Sequence, residues 1–289
     1  MNKPGVDPAD LLVLSRTVLL DALEALAEHR DAVIVVGAQA VYLRTGGINV
    51  ALAEATKDSD VALDSRHLGT EPPVEAAMTA AGFVPSANNQ PGSWVNAAGI
   101  PVDLMVPEQL AGPGNKQTRG ARLPPHGKRA LRRAKGLEAT VVDYSKMPVS
   151  TLDPTDQRTI TAKVAGPAAL LVAKCHKIAE RVDAPHRLND KDAHDTYRIL
   201  TATDTSNLHD TIATLLDDRV SSEVTREALT FLDELFAAGP TAIGSMMAGR
   251  AEEGVGEPDE VSIAVSILAA DLIDSLRAQR LYSSDGTTA

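Results

Sequence analysis

Gly166-Pro167 divides this chain by pattern, and that division constrains the fold more than any other feature of the sequence. Before it, short apolar runs such as "VIVV" (33–36), "DSDVAL" (58–63) and "IPVDLMV" (100–106) alternate with helical stretches and with turns rich in Pro and Gly. After it, apolar residues recur at helical spacing, in "PAALLVAKCHKIAERV", "DKDAHDTYRILTA", "SEVTREALTFLDELF" and "DEVSIAVSILAADLIDSLRAQ". Alternating strands and helices bury their apolar faces as a sheet covered by helices, whereas helices alone must bury against one another. We therefore expect an α+β protein with two domains. Residues 1–165 carry a mixed sheet with helices, and residues 166–289 form an all-helical domain that completes a ligand cleft.

Within the first half, "LLVLSRTVLLDALEALAEH" (11–29) reads as an amphipathic helix and Ala32–Val36 as a buried strand. "GAQAVYLRTGG" (37–47) is a short helix ended by two glycines, and Asp58–Leu63 is the next strand. "PPVEAAMTAAGF" is a helix with Pro at its start, and "SWVNAAG" with "IPVDLMV" forms a hairpin or two neighbouring strands. The pieces "ATVVDY", "MPVSTL" and "RTITAKV" are β-like.

Charge is distributed unevenly. The chain is 289 residues long with a net charge of −11, which argues against a general nucleic-acid coat. Yet Gln109 to Leu137 holds no acidic residue and eight cations: Lys116, Arg119, Arg122, Lys128, Arg129, Arg132, Arg133 and Lys135. A basic block in an acidic protein directs a polyanion to one place; with Pro113, Gly114, Pro124, Pro125 and Gly127 it equally reads as a partly disordered, solvated loop. A single cysteine, Cys175, excludes a disulfide framework and a cysteine-based zinc site, and a buried thiol is expected there. His176, His186 and His194 lack zinc spacing and read as surface or packing residues. The N-terminus lacks a basic-then-apolar leader and the apolar runs are too short to cross a bilayer, so a soluble cytoplasmic protein is expected.

The chemistry is expected from the carboxylates. Side chains at i and i+2 of a strand face one side, so Asp58 and Asp60 present two acids together. Such like charges resist joint ionisation unless a cation intervenes, and Mg²⁺ favours one or two carboxylates plus substrate phosphates. Asp103, inside "IPVDLMV", is the candidate third acid for a two-metal site. At Gly37-Ala38 a strand passes into a helix without a bulky side chain, so backbone N–H groups at the helix start can meet phosphates. An ordinary tight strand-to-helix turn needs the same glycine.

A Gly-small step, a helix and then an Asp-x-Asp strand resemble the nucleotidyltransferase superfamily with the polymerase-β-like fold, in which a Gly-Ser step occupies the place of Gly37-Ala38. "TKDSD" together with "VAGPAALLVAKCHKIAER" and "NDKDAHDTYRIL" is similar to the AbiEii family of toxins, including the MenT toxins, over about residues 30 to 200. The matching late motifs are Lys174 and Lys177 on one helix, then Lys191, Asp192 and Asp195 on the next. The resemblance implies a metal-dependent nucleotidyltransferase using NTP. Asp58, Asp60 and Asp103 would hold Mg²⁺ or Mn²⁺, and Asp103 would also help deprotonate the acceptor. Lys174 would neutralise nucleotide phosphates with Asp195 fixing the geometry, and Gly37, Ala38, Lys177 and Asp192 would complete nucleotide binding.

The same resemblance implies a toxin of a toxin–antitoxin pair that adds nucleotides to the 3′ end of tRNA and so blocks translation. The basic stretch (Lys116, Arg119, Arg122, Lys128, Arg129, Arg132, Arg133) would receive the acceptor, and a cognate antitoxin would be a protein partner. The alternatives are transfer to a small molecule such as an antibiotic, transfer to a protein side chain, and a catalytically dead nucleotide-binding homologue. An acidic pocket is expected for an aminoglycoside; Ala38 in place of serine is the one hint of the dead homologue.

Overall fold

The structure, a computed structural model, describes residues 8–46, 48, 50, 58–115 and 117–283. Thr56 and Lys57 of the "TKDSD" motif, and Lys116, lie outside the described residues. The chain divides into two compact units, Met1–Leu43 with Ala55–Ala165, and Arg44–Glu54 with Gly166–Ala289.

The first unit is built on a mixed sheet. Its strands are β1 (Val33–Val36), β2 (Ser59–Leu63), β3 (Val84–Pro85), β4 (Ser93–Val95), β5 (Pro101–Pro107), β6 (Arg132–Ala134), β7 (Tyr144–Ser150) and β8 (Thr159–Ala165). The order across the sheet is β3-β4-β5-β2-β1-β8-β7, with β6 beside β5. β2 runs antiparallel to β1 but parallel to β5, so the three central strands are joined by both kinds of pairing. All four residues of β1 are buried, as expected of a short apolar run covered on both faces. Helix α1 (Pro8–Ala25) packs on β2, β5 and β8, and its Val18, Leu19, Leu20 and Ala22 are nearly inaccessible. Helix α2 (Gly37–Thr45) leaves β1 directly, and α3 (Val74–Ala80) follows β2.

Two expectations change here. "ATVVDY" is not a strand: Glu138–Val141 forms a 3₁₀ turn, and its Val and Thr side chains are buried against the sheet rather than paired within it. The basic segment is not a disordered loop. Ala121, His126, Ala130 and Leu131 are buried between its cations. The Trp94 indole donates to Ala130 O at 3.0 Å, Gly92 N–H donates to Arg129 O, and Ala121 N–H donates to Leu131 O. Small apolar anchors spaced through the charge run hold it to the sheet, and its end becomes β6.

The second unit contains α4 (Pro167–Ala179), α5 (Asp190–Ala202), α6 (Thr205–Asp217), α7 (Ser222–Leu232), α8 (Ile243–Arg250) and α9 (Pro258–Ala278). Proline occupies the first turn of both α4 and α9, where no backbone donor is needed. The Asn189 side chain caps α5 by accepting from Lys191 N–H at 3.0 Å. Helices α6 and α8 are additions to the sequence reading; Leu208, Ile212 and Leu215 of α6 form an apolar stripe that was there to be read. Among the described residues, no helix is long and apolar enough to cross a membrane.

Candidate active site

Asp60 and Asp103 are direct neighbours on adjacent parallel strands, so their side chains leave the same face of the sheet. Val36, the last residue of β1, extends the same row on the other side of Asp60. β2 and β5 are otherwise largely buried, and Asp60 and Asp103 are their half-buried interior positions. Asp58, expected to open the strand, is exposed and lies just before β2, which begins at Ser59. Ser59 between them points the other way, is fully buried, and donates its hydroxyl to Ser15 O at 2.8 Å.

Gly37 carries φ +66°, the left-handed region that glycine alone enters without strain. The Asp60 side chain packs directly over it. A methyl group on Gly37 would lie 2.8 Å from Asp60 Cβ and 2.9 Å from Cγ, and closer still to a carboxylate oxygen. The glycine step therefore lets an acid from β2 sit against the opening of α2. Ala38, buried in the first turn of α2, supplies a small side chain and no hydroxyl.

A polar network that sequence reasoning missed supports this corner from beneath. Gln39 Nε2 donates to Ser15 Oγ at 2.8 Å, and Arg16 Nε donates to Gln39 Oε1 at 2.8 Å. Arg16 also donates to Ser150 O at 3.0 Å, and all three side chains are buried. Burial lowers the Arg16 pKa from its ordinary value. The available signal was Arg16 inside "LLVLSRTVLL" and Gln39 two residues after the glycine: polar groups in apolar runs must find partners when buried.

Asp103 is not presented as an open ligand. Arg132 Nη2 pairs with Asp103 Oδ2 at 2.8 Å. Among the described residues, no group of three or more His, Cys, Asp and Glu side chains is gathered in metal-binding geometry. The donor set still suits a hard divalent cation: carboxylate oxygens on one sheet face, partly exposed, with few protein ligands in all.

The cations of the basic segment separate into two kinds. Arg119, Arg122, Lys128 and Arg129 are exposed. The first three line a surface pocket of about 450 Å³ with Asn115, Gln117 and Thr118, and among the described residues no carboxylate lines it. Arg132 and Arg133, expected to meet a polyanion, are engaged within the fold. Arg133 is 9% exposed at its side chain, donates to Gly112 O at 2.6 Å, and has the Gly114 backbone against its guanidinium. It braces the loop rather than facing solvent.

In the helical unit, Lys174 is buried and does not present its ammonium to solvent. Its Nζ lies 2.9 Å from Asp192 Oδ1 and 2.6 Å from Asp195 Oδ2. Burial disfavours its charge, but the two carboxylates outweigh that and raise its pKa above the usual lysine value. Asp192 is likewise opposed by burial, and Lys174 with Lys177 pulls its pKa below the carboxylate range. Lys177, 41% exposed, reaches Asp192 at 2.9 Å, and Arg181 reaches the other oxygen at 3.3 Å. Lys174 is thus held between Asp192 and Asp195, and Lys177 is the more exposed of the two lysines. Arg198, missed in the sequence, is buried on α5 and donates to Thr45 Oγ1 at 3.2 Å and Val50 O at 2.9 Å, which ties Thr45 and Val50 to this unit.

Of the histidines near these motifs, His176 and His194 are packing groups. His176 bonds Val224 O at 2.8 Å and stacks edge-on with Phe231; His194 bonds Glu252 at 2.8 Å. His186 is exposed. Burial pushes the Cys175 thiol up to about 12, so it is no nucleophile at neutral pH. No protein-family model, curated protein or solved structure matches the chain.

Proposed function

We propose that this chain is a metal-dependent nucleotidyltransferase of the polymerase-β-like kind that transfers nucleotides from NTP to RNA, with the 3′ end of tRNA as acceptor and translation arrest as the outcome. The observation that carries the reading is the row Val36–Asp60–Asp103, which sets two acids side by side and packs one over the glycine that opens α2. Asp58, Asp60 and Asp103 would hold Mg²⁺ or Mn²⁺, and that ion supplies charge neutralisation for the phosphates. Gly37 and Ala38 put no bulky side chain of their own at the start of α2, so a cation held by the Asp60 carboxylate beside it would bring phosphate oxygens to that helix start. Lys177 provides a cation in the helical unit, held by Asp192. Arg119, Arg122, Lys128 and Arg129 provide exposed charge for the acceptor backbone. A pocket lined by cations without an acid favours RNA over an aminoglycoside, which is itself cationic. As a toxin, the protein would be neutralised by a cognate antitoxin protein.

The test is direct. Purified protein is incubated with Mg²⁺, each labelled NTP in turn and total tRNA, and the RNA is resolved for lengthened 3′ ends. Label on tRNA that disappears with Asp60→Ala supports the reading. Label on protein instead, or NTP binding with no transfer to any acceptor, overturns it in favour of protein modification or a binding module respectively.

A further inference from the structure

Arg132 stands at the junction of the two features on which the proposed function rests. Its backbone on β6 is registered with Met105 of β5, two residues beyond Asp103, so both side chains leave the same face. Nη2 makes the ion pair with Asp103 Oδ2 at 2.8 Å. The other contacts of its guanidinium are poor: the Met105 thioether at 3.1 Å and Gln90 Oε1 at 3.4 Å. On its opposite side, Arg132 forms a backbone bridge with Gly120, the residue between Arg119 and Ala121 in the wall of the basic pocket.

A carboxylate oxygen engaged by a guanidinium is a poorer ligand for a divalent cation and a poorer proton acceptor, because the positive charge it would stabilise is already present. The Arg132 and Asp103 side chains are 28% and 19% exposed, so the pair can be reached by a competitor. Arginine binds phosphate in the same two-pronged way that it binds carboxylate. We propose that Arg132 is an acceptor-sensing latch: it holds Asp103 until a phosphate of single-stranded RNA seated at Arg119, Arg122 and Lys128 takes the guanidinium, and Asp103 then joins Asp58 and Asp60. Arg132 is here a positioning residue, and the inference rests on the reading of those acids as a cation site. Coupling of this kind is reciprocal, so RNA tightens cation binding and the cation tightens RNA binding by the same factor.

The experiment is Mn²⁺ titration of the full-length protein followed by electron paramagnetic resonance, without NTP. It is run with and without a short unstructured RNA, and Mn²⁺ bound by RNA alone is subtracted. In the wild type, RNA is expected to tighten Mn²⁺ binding by about tenfold, within the usual span of coupling between sites. Arg132→Gln is expected to bind Mn²⁺ without RNA as tightly as the wild type does with it, and to show no further response. Arg132→Lys, which keeps the charge but not the fork, retains part of the response and checks that the strand is intact. The latch is overturned if RNA leaves wild-type Mn²⁺ affinity unchanged while Asp60→Ala still abolishes binding, or if Arg132→Gln keeps the full RNA response. If Mn²⁺ binding is absent, or indifferent to Asp60→Ala, the cation site itself is refuted and the latch with it.

Discussion

Replacing Gly37 with alanine separates backbone strain from steric conflict at the acid pair. An alanine held at φ +66° costs about 1–2 kcal/mol relative to glycine. The added methyl would also lie 2.8 Å from Asp60 Cβ, an atom fixed by the strand, so a rotamer change cannot relieve the conflict and β2 or α2 must shift. Overpacking of that kind adds about 1–3 kcal/mol. Gly37→Ala should therefore lower unfolding free energy by about 2–5 kcal/mol, read from the urea midpoint at unchanged slope. In an Asp60→Gly background the obstructing Cβ, Cγ and carboxylate oxygen all vanish with the side chain, and only the backbone share of about 1–2 kcal/mol should remain. The double-mutant cycle should thus return a coupling of about 1–3 kcal/mol. Equal cost in both backgrounds would refute the packing of Asp60 over Gly37. Nucleotide transfer should fall by about 100-fold in Gly37→Ala alone, since roughly an ångström of misplacement is enough for that loss.

Lys174→Met leaves Asp192 and Asp195 buried without their main counter-charge and should cost about 3–5 kcal/mol in chemical denaturation; adding Asp192→Asn and Asp195→Asn should restore most of it. His126 Nδ1 accepts the Val74 N–H at 3.2 Å, so that atom must stay unprotonated, and burial followed by the facing His29 ring lowers the His126 pKa against the opposing pull of Glu75 and Glu71. The unfolded chain then binds more protons between the depressed folded value and about 6.5, so stability should fall as pH drops through that window, by at most about 1.4 kcal/mol per unit. His126→Gln should flatten that part of a pH series of thermal melts. Replacing Arg119, Arg122 and Lys128 with alanine should reduce the salt slope of single-stranded RNA binding by about 2, at about 0.7 per lost phosphate contact, in filter-binding titrations. Arg133→Ala should instead lower the melting temperature and leave that slope unchanged, because its guanidinium is enclosed by the loop.

Local pattern determined a good deal of this protein. The apolar run at 33–36, the glycine that follows it, and the alternation of Ser59 and Asp60 each specify geometry through one or two residues, so strand and turn were legible without a partner. The helical periodicity after Pro167 was equally legible, since an amphipathic stripe repeats within each helix. Tertiary structure decided everything that depends on which strands become neighbours. The adjacency of Asp60 and Asp103 follows from β2 and β5 pairing in parallel across about forty residues of chain, a register that no local signal encodes. The fate of each cation was decided in the same way. Arg133 and Lys174 each meet a carboxylate or carbonyl brought from elsewhere, because a buried charge is tolerated only with such a partner, and the half-buried Arg132 meets Asp103 from the neighbouring strand.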